Sequence, residues 1–240
     1  MSNFTRLVGL CLATFFIIIS LSGDLNGQIV AKRVAAITGH LVPFLQYKPS
    51  RHDVSSPSRK YPLIIFLHGG GERSNKISLT PVFPDSGYAP VWQLRAYGPL
   101  RELGWHQLNF PWNNRTDAFI VLCPLSRAGT DTWPTEYIDA MINYGRDSLK
   151  ADTNRIYLTG HSYGGAGVFN YLNSSSANVR KLAAVVPMAA WNTALRNTGA
   201  NYVSAAKLPL WAFHAMNDAV TKRDTTIYSI NRLNAVNPQA

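Results

Sequence analysis

A serine between glycines, just after a short apolar run, carries the clearest chemical signal in the sequence. Residues 160–165 read Gly-His-Ser-Tyr-Gly-Gly, and Arg155-Ile-Tyr-Leu-Thr159 leads directly into them. The Gly-x-Ser-x-Gly pattern is typical of a tight strand-to-helix turn that exposes the serine hydroxyl, because only small residues avoid clashes two positions before and after the serine. The pattern therefore predicts that Ser162 is a nucleophile for acyl transfer.

A glycine triplet follows a second apolar run earlier in the chain. Leu63-Ile-Ile-Phe-Leu67 is typical of a buried parallel strand, and Gly69, Gly70 and Gly71 come soon after it. Backbone N–H groups of such a loop, with the N–H of the residue after the nucleophile, can stabilise an oxyanion. We therefore predict an oxyanion hole built from Tyr163 and the three glycines; a plain flexible turn is the alternative interpretation.

The elements that must position these residues alternate between strand and helix patterns. Apolar strand runs are separated by helical segments, and the connections are long, which favours a mostly parallel sheet with helices on both faces. Ligands bind such sheets at the carboxyl ends of the strands. The serine and the glycine triplet both fall at predicted strand ends, so the α/β fold class and the site prediction support one another.

A carboxylate follows the last visible strand run, Leu208–Phe213. Asp218 lies a few residues beyond it and is our candidate for the acid that orients a base imidazole; Asp224 is the weaker alternative. The competing interpretation of Asp218 is a turn cap. The expected chain order is Ser, Asp, His, but no histidine follows Asp218, and His106 would serve only in an unusual arrangement.

The missing base leads to an expectation about the chain itself. The sequence stops at Ala240 without a further strand, so we interpret it as C-terminally incomplete, with the last strand and the histidine loop missing and with activity lost as a result. The alternative is a non-catalytic homologue that binds without cleaving.

The composition of the 240 residues is typical of a globular protein with an excess of basic over acidic residues. The formal net charge is +10 and 46% of residues are hydrophobic. The basic residues are scattered and form no stripe interleaved with aromatics, which argues against a nucleic-acid partner. No His/Cys/Asp cluster has metal-ligand spacing, so the sequence calls for no metal and no organic cofactor.

The N-terminus has the features of an export signal. Arg6 precedes an apolar stretch, Leu7–Leu21, and small residues follow it. We predict a signal peptide over residues 1–27, a domain over residues 28–240, and a secreted or periplasmic protein without stable membrane insertion after cleavage. An uncleaved anchor is the alternative, although the run is short for a spanning helix, which needs about 20 apolar residues.

These motifs resemble the α/β-hydrolase superfamily. The resemblance rests on three segments and runs from about Gly39 to Leu233: residues 63–73, residues 160–165 and Leu210-Trp-Ala-Phe-His-Ala-Met-Asn-Asp218. Within the superfamily the chain is similar to secreted esterases grouped with polyhydroxybutyrate depolymerases, feruloyl esterases, dienelactone-hydrolase-like enzymes and relatives labelled "predicted peptidase". The family's acid lies in a His-Gly-x-x-Asp segment, where this chain has Ala215 in place of glycine.

The resemblance implies hydrolysis of a small-molecule or polysaccharide-linked carboxylic ester through an acyl-enzyme on Ser162. Trp133 and Trp191 lie near strand ends and are candidate substrate contacts, because aromatic faces there can stack on a sugar or a phenolic acid. A serine peptidase of the same fold and a non-catalytic binding protein are the alternatives.

Overall fold

The structure is a computed structural model that describes residues 28–49, 52, 55, 59–76, 90–103, 109–112 and 115–236. The predicted signal segment 1–27 lies outside these ranges. No helix in the described ranges has the length and apolar character needed to cross a membrane.

One mixed sheet organises the molecule. The strands are β1 (Gln28–Ala35), β2 (Leu41–Lys48), β3 (Leu63–Leu67), β4 (Asn109–Trp112), β5 (Arg115–Ala118), β6 (Ile120–Pro124), β7 (Ile156–His161) and β8 (Ala184–Met188). Within the described residues, six of them form a sheet in the order β1-β2-β6-β3-β7-β8. The pairs β6-β3, β3-β7 and β7-β8 are parallel, and β1 and β2 add an antiparallel edge.

Helices cover both faces of this sheet. They are α1 (Pro90–Gln93), α2 (Pro99–Leu103), α3 (Thr135–Asp147), α4 (Tyr163–Ser174), α5 (Ser176–Val179), α6 (Asn197–Ala206) and α7 (Asp224–Val236), and a single 3-10 turn spans Gly70–Glu72. Side chains of β3 alternate between two apolar clusters: Leu63 and Ile65 pack with α3 and α4, and Phe66 packs with α1 and α2. The period of two along a strand explains this division. The predicted α/β architecture is therefore confirmed.

The segment that leads to Asp218 runs alongside β8. The Trp211 N–H donates to the Val185 carbonyl at 3.1 Å, and the Phe213 N–H donates to the Pro187 carbonyl at 3.1 Å. These parallel bridges place the predicted strand 208–213 next to β8. The carboxyl ends of β3, β7, β8 and this segment consequently point to the same edge of the sheet.

The apolar run from Ala118 to Cys123 is typical of one buried strand, but in the structure Ala118 ends β5 and the next strand begins at Ile120. The two parts have different partners, because β5 pairs with β4 in a separate two-stranded sheet and β6 pairs with β3 and β2. The β4–β5 pair was not predicted.

Candidate active site

Ser162 lies at the sharp turn between β7 and α4, in a backbone conformation that side chains rarely adopt. Its φ is 56° and its ψ is −114°, and such conformations cost on the order of 1–3 kcal/mol. A Cβ atom on Gly160 would lie 2.5 Å from the Gly164 carbonyl oxygen and 2.8 Å from the Cβ of Leu67. The glycines of the motif are thus required because the turn brings their backbones together.

The backbone of Ser162 is fixed to the neighbouring strand end. Its N–H donates to the Met188 carbonyl at 2.9 Å, and its own carbonyl accepts from the N–H groups of Ala166 at 2.9 Å and Trp191 at 3.1 Å. These three hydrogen bonds, made by the end of β8, the residues after it and the first turn of α4, hold the strained conformation in place.

Ser162 lines a cavity of about 560 Å³. Within the described residues its hydroxyl makes no hydrogen bond, so it is available to a ligand. The cavity is lined by the glycine triplet and by apolar side chains that include Phe66, Leu94 and Met188. A hydroxyl exposed in a largely apolar pocket beside backbone amides is the arrangement that nucleophilic acyl chemistry requires.

The two predicted sources of oxyanion donors are neighbours in space. A Cβ atom on Gly70 would lie 3.9 Å from the Cβ of Tyr163, so the glycine turn and the start of α4 are in contact. Tyr163 is the first residue of α4, and first-turn amides have no acceptor within their own helix. The positive end of the helix dipole adds to the potential at this point. The structure thus brings together Ser162, Tyr163 and the triplet.

Glu72 supplies a carboxylate to the wall of this cavity. The His68 ring, whose Nδ1 lies 3.6 Å from Glu72 Oε2, holds the pKa of this carboxyl below its ordinary value, against the opposing effect of burial. At 3.6 Å the contact is electrostatic, since His68 Nδ1 is 2.6 Å from the Gly69 carbonyl oxygen and donates there. The cavity therefore contains an ionised carboxylate at neutral pH.

Asp218 is held by the turn that follows it and does not line the cavity. Its Oδ1 accepts from the N–H groups of Val220 and Thr221 at 2.9 and 2.8 Å, and its Oδ2 accepts from the Thr221 hydroxyl at 2.6 Å. The Thr221 hydroxyl, followed by these two amides, lowers the pKa of Asp218 to about 2. The carboxylate caps a turn at the end of the sheet, and its predicted role as the acid stays a prediction.

This capping predicts a pH dependence of stability. The pKa of Asp218 is lowered on folding, so its contribution is present above the pKa of about 3.9 of an unfolded aspartate and is lost as the pH falls toward about 2. We expect Asp218→Asn to flatten the fall of the melting temperature between pH 4 and pH 2. Thermal unfolding at four pH values measures this. Thr221→Val, which removes the main donor, should shift the fall toward pH 4, and an unchanged profile in both variants would contradict the assignment.

The two predicted tryptophan contacts differ in position. Trp191 is 37% exposed and its backbone is bonded to Ser162, so it remains a candidate substrate contact. Trp133 is completely buried, and its Nε1–H donates to the His68 carbonyl at 3.3 Å. A ring packed beneath the glycine turn supports that turn and does not reach a ligand in the cavity. The ring, which was predicted to stack on a ligand, packs in the hydrophobic core instead.

The comparisons with known proteins agree with this geometry. No protein-family model matches the chain. A bifunctional acetylxylan esterase/xylanase from Neocallimastix patriciarum is 28% identical over 153 residues, which is 58% of this chain and 21% of that protein. The chain thus spans about a fifth of the length of this relative.

Solved structures give the fold. A candidate carboxylesterase from Lactobacillus plantarum WCFS1 superimposes with a TM-score of 0.56 at 14% identity, covering 88% of this chain and 84% of the other. The acylaminoacyl peptidase of Pyrococcus horikoshii gives a TM-score of 0.55 at 16% identity, covering 91% of this chain and 36% of the other. The chain has the α/β-hydrolase fold, as the motifs predicted. Its similarity to the acetylxylan esterase agrees with the resemblance to the esterase group inferred from the three motifs.

An α/β-hydrolase triad also needs a base; His68 and His214 are engaged elsewhere, whereas His161 lines the cavity next to Ser162. His68 Nε2 accepts from the Ser126 N–H at 2.9 Å, so both of its ring nitrogens are used. His214 is enclosed by the turn after the strand: its ring nitrogens lie 2.8 Å from the Thr226 hydroxyl and 3.0 Å from the Thr221 carbonyl. His106 lies outside the described residues. No described imidazole is hydrogen-bonded to the Ser162 hydroxyl.

The candidate site includes two residues for which sequence analysis predicted no role. Arg73, directly after the 3-10 turn, donates through Nε to the Gly70 carbonyl at 2.9 Å and through NH1 to the Thr130 carbonyl at 2.9 Å. Thr130 lies far from the motifs in sequence and its Oγ1 is 2.7 Å from the Tyr163 hydroxyl. The only signal for Arg73 was its place after the glycines, and Thr130 carried none. Within the described residues no group of three His, Cys, Asp or Glu side chains could hold a metal ion.

Proposed function

We propose that the chain is the hydrolase module of a secreted serine esterase, which cleaves carbohydrate-linked carboxylic esters through an acyl-enzyme on Ser162. The observation that carries the proposal is the position of the Ser162 hydroxyl: it is held on a strained turn, faces the cavity and lies beside the glycine turn and the Tyr163 amide. Strain of this kind persists only where the surroundings enforce it, and it is concentrated at functional sites.

In this mechanism Ser162 Oγ attacks the ester carbonyl carbon while its proton passes to a base. The carbonyl oxygen becomes an oxyanion that accepts hydrogen bonds from the Tyr163 N–H and from the Gly69–Gly71 turn. Collapse of the tetrahedral intermediate expels the alcohol with the returned proton, and water then cleaves the acyl-enzyme by the reverse sequence. The base comes from outside the described residues, and Asp218 is the proposed acid that orients it.

The substrate class is proposed from three features. The acetylxylan esterase activity in the name of the Neocallimastix patriciarum relative indicates a small acyl group on a polysaccharide. The apolar cavity wall suits a short neutral acyl group, and Trp191, which is 37% exposed and bonded through its backbone to Ser162, offers an aromatic face on which a sugar can stack. Export, proposed from residues 1–27, would bring the protein to such polymers.

A substrate panel, run on the full-length protein, tests this proposal. We expect acetate release from acetylated xylan and from 4-nitrophenyl acetate, and no cleavage of N-acetylated peptide 4-nitroanilides. Trp191→Ala should lower kcat/KM for acetylated xylan by about 10-fold, as expected for a lost stacking contact of about 1–1.5 kcal/mol, and should leave 4-nitrophenyl acetate nearly unchanged. Faster cleavage of the peptides would favour a peptidase. Binding of xylan without acetate release would favour a non-catalytic protein.

A further inference from the structure

Arg73 contacts both halves of the proposed oxyanion hole. Its Nε–H donates to the Gly70 carbonyl, and its guanidinium carbon lies 4.8 Å from the centre of the Tyr163 ring. Its NH1 donates to the Thr130 carbonyl at 2.9 Å. One planar side chain thus links the glycine turn, the loop that contains Thr130 and the first residue of α4.

The contact between Thr130 and Tyr163 closes this network. Thr130 Oγ1 lies 2.7 Å from the Tyr163 hydroxyl and donates to the Arg127 carbonyl at 3.0 Å. The Tyr163 side chain is 2% exposed and packs between the Arg73 guanidinium and Trp133, whose ring centre is 5.9 Å away. The start of α4 is therefore anchored to Arg73, the same side chain that holds the Gly70 carbonyl of the glycine turn.

The bond to the Gly70 carbonyl has a consequence for the next amide. A trans peptide is planar, so the Gly70 carbonyl and the Gly71 N–H belong to one rigid unit and point in opposite directions. Glycine on both sides of this unit leaves its rotation nearly unrestricted by sterics. Fixing the carbonyl toward Arg73 fixes the Gly71 N–H away from Arg73. His68 acts in the same way one peptide earlier, since its Nδ1 donates to the Gly69 carbonyl at 2.6 Å.

We propose that Arg73 is a positioning residue of the oxyanion hole: it orients the Gly70–Gly71 peptide and holds it at a fixed distance from the Tyr163 amide. The proposal rests on the proposed function. Arginine suits the role because its planar fork can donate to two carbonyls through different nitrogens while its face covers an aromatic ring; a lysine ammonium cannot make all three contacts. The charge of Arg73 acts on the backbone orientation and does not need to reach the substrate.

The test compares Arg73→Lys and Arg73→Ala with wild type, all in the full-length protein, on 4-nitrophenyl acetate. Losing one oxyanion donor costs about 100- to 1,000-fold in kcat, so we expect Arg73→Ala to lower kcat by about 10- to 100-fold through partial misorientation, with KM changed by less than about twofold. The kcat of Arg73→Lys should lie between that of wild type and that of Arg73→Ala. Affinity for an alkyl boronic acid, which forms a tetrahedral adduct on Ser162, should fall by the same factor as kcat. Added guanidinium ion should restore part of the activity of Arg73→Ala.

Arg146→Ala is the matched control. Arg146 lies in the last turn of α3, pairs with Asp147 and has a side chain that is 51% exposed. It should retain wild-type kcat and boronate affinity. The boronate measurement needs no turnover, so it keeps the test decisive where turnover is slow, and Arg73→Lys keeps it decisive where Arg73→Ala does not fold.

The outcomes separate the two proposals. If Ser162→Ala still hydrolyses the ester, the proposed function fails. If Ser162→Ala is inactive but both Arg73 variants keep wild-type kcat and boronate affinity, only the role of Arg73 is overturned. An Arg73→Ala variant that loses kcat and boronate affinity in parallel, keeps KM and responds to guanidinium supports it. An Arg73→Ala variant with a raised KM but wild-type kcat also overturns the role of Arg73.

Discussion

Ser162→Ala is expected to abolish hydrolysis of 4-nitrophenyl acetate, with kcat lowered by about 10⁴-fold or more. In the proposed mechanism the hydroxyl forms the acyl-enzyme, and neither the oxyanion amides nor the cavity can replace it as a nucleophile. The backbone of residue 162 keeps its three hydrogen bonds in the variant, since all of them involve main-chain atoms. Steady-state kinetics and the burst of 4-nitrophenol release measure the loss.

Ser148→Ala is the matched control for this prediction. Ser148 follows α3, is exposed, and is not part of the cavity that contains Ser162. It should keep wild-type kinetics, which excludes a general effect of removing a hydroxyl. Equal ester turnover by wild type and Ser162→Ala at matched melting temperatures would show that the elbow serine is not the nucleophile, and the site would need another assignment.

The sharp turn at Ser162 could be predicted because its constraint is local. Five consecutive residues decide whether the backbone can make the turn, and the φ of 56° at Ser162 is the conformation that the glycines on either side make possible. The proximity of the glycine turn also followed from the sequence, since β3 and β7 are both apolar and parallel neighbours end at the same edge. The apolar strand runs and the two glycine motifs were therefore sufficient to predict the fold and the proximity of Ser162 to the glycine turn.

Contacts that join distant segments could not be predicted in this way. Arg73 and Thr130 are 57 residues apart, and nothing in either local sequence indicates that one donates to the other. The same limit applies to Trp133, because an aromatic residue near a strand end is equally consistent with a ligand contact and with the core. Its complete burial depends on the packing of α4, where a Cβ on Gly167 would lie 2.7 Å from the Trp133 ring.

The acid shows a third case, in which the sequence left two interpretations open and the structure adds evidence for one of them. Asp218 was assigned either to the triad or to a turn cap, and its oxygens accept from Val220 and Thr221. Capping does not exclude the other role, because a carboxylate has about four lone-pair sites and these contacts use three. His214 Nε2 lies 3.5 Å from Oδ2 but is closer to the Thr221 carbonyl, at 3.0 Å. A catalytic role therefore depends on the remaining acceptor site.

Gly164→Ala is expected to be the most destabilising single methyl addition in the elbow. A Cβ atom on Gly164 would lie 2.5 Å from the Leu67 carbonyl carbon and 2.7 Å from the His68 carbonyl oxygen. These are backbone atoms at the end of a central strand, so they cannot move aside as a flexible side chain would. Overpacking costs typically 1–3 kcal/mol, and a contact with fixed backbone should cost about 3 kcal/mol or more, which lowers the melting temperature by about 6–12 °C.

Gly71→Ala is the matched control for the effect of a methyl group on a glycine. A Cβ atom there meets nothing within 4 Å, and Gly71 is exposed, so the melting temperature should change by less than about 2 °C. Differential scanning calorimetry of both variants measures the contrast. Because the clash in Gly164→Ala pushes α4 away from the glycine turn, residual ester hydrolysis by that variant should fall further than its folded fraction. A Gly164→Ala protein with wild-type stability and activity would contradict the close approach of α4 to the end of β3, on which both the oxyanion hole and the role of Arg73 depend.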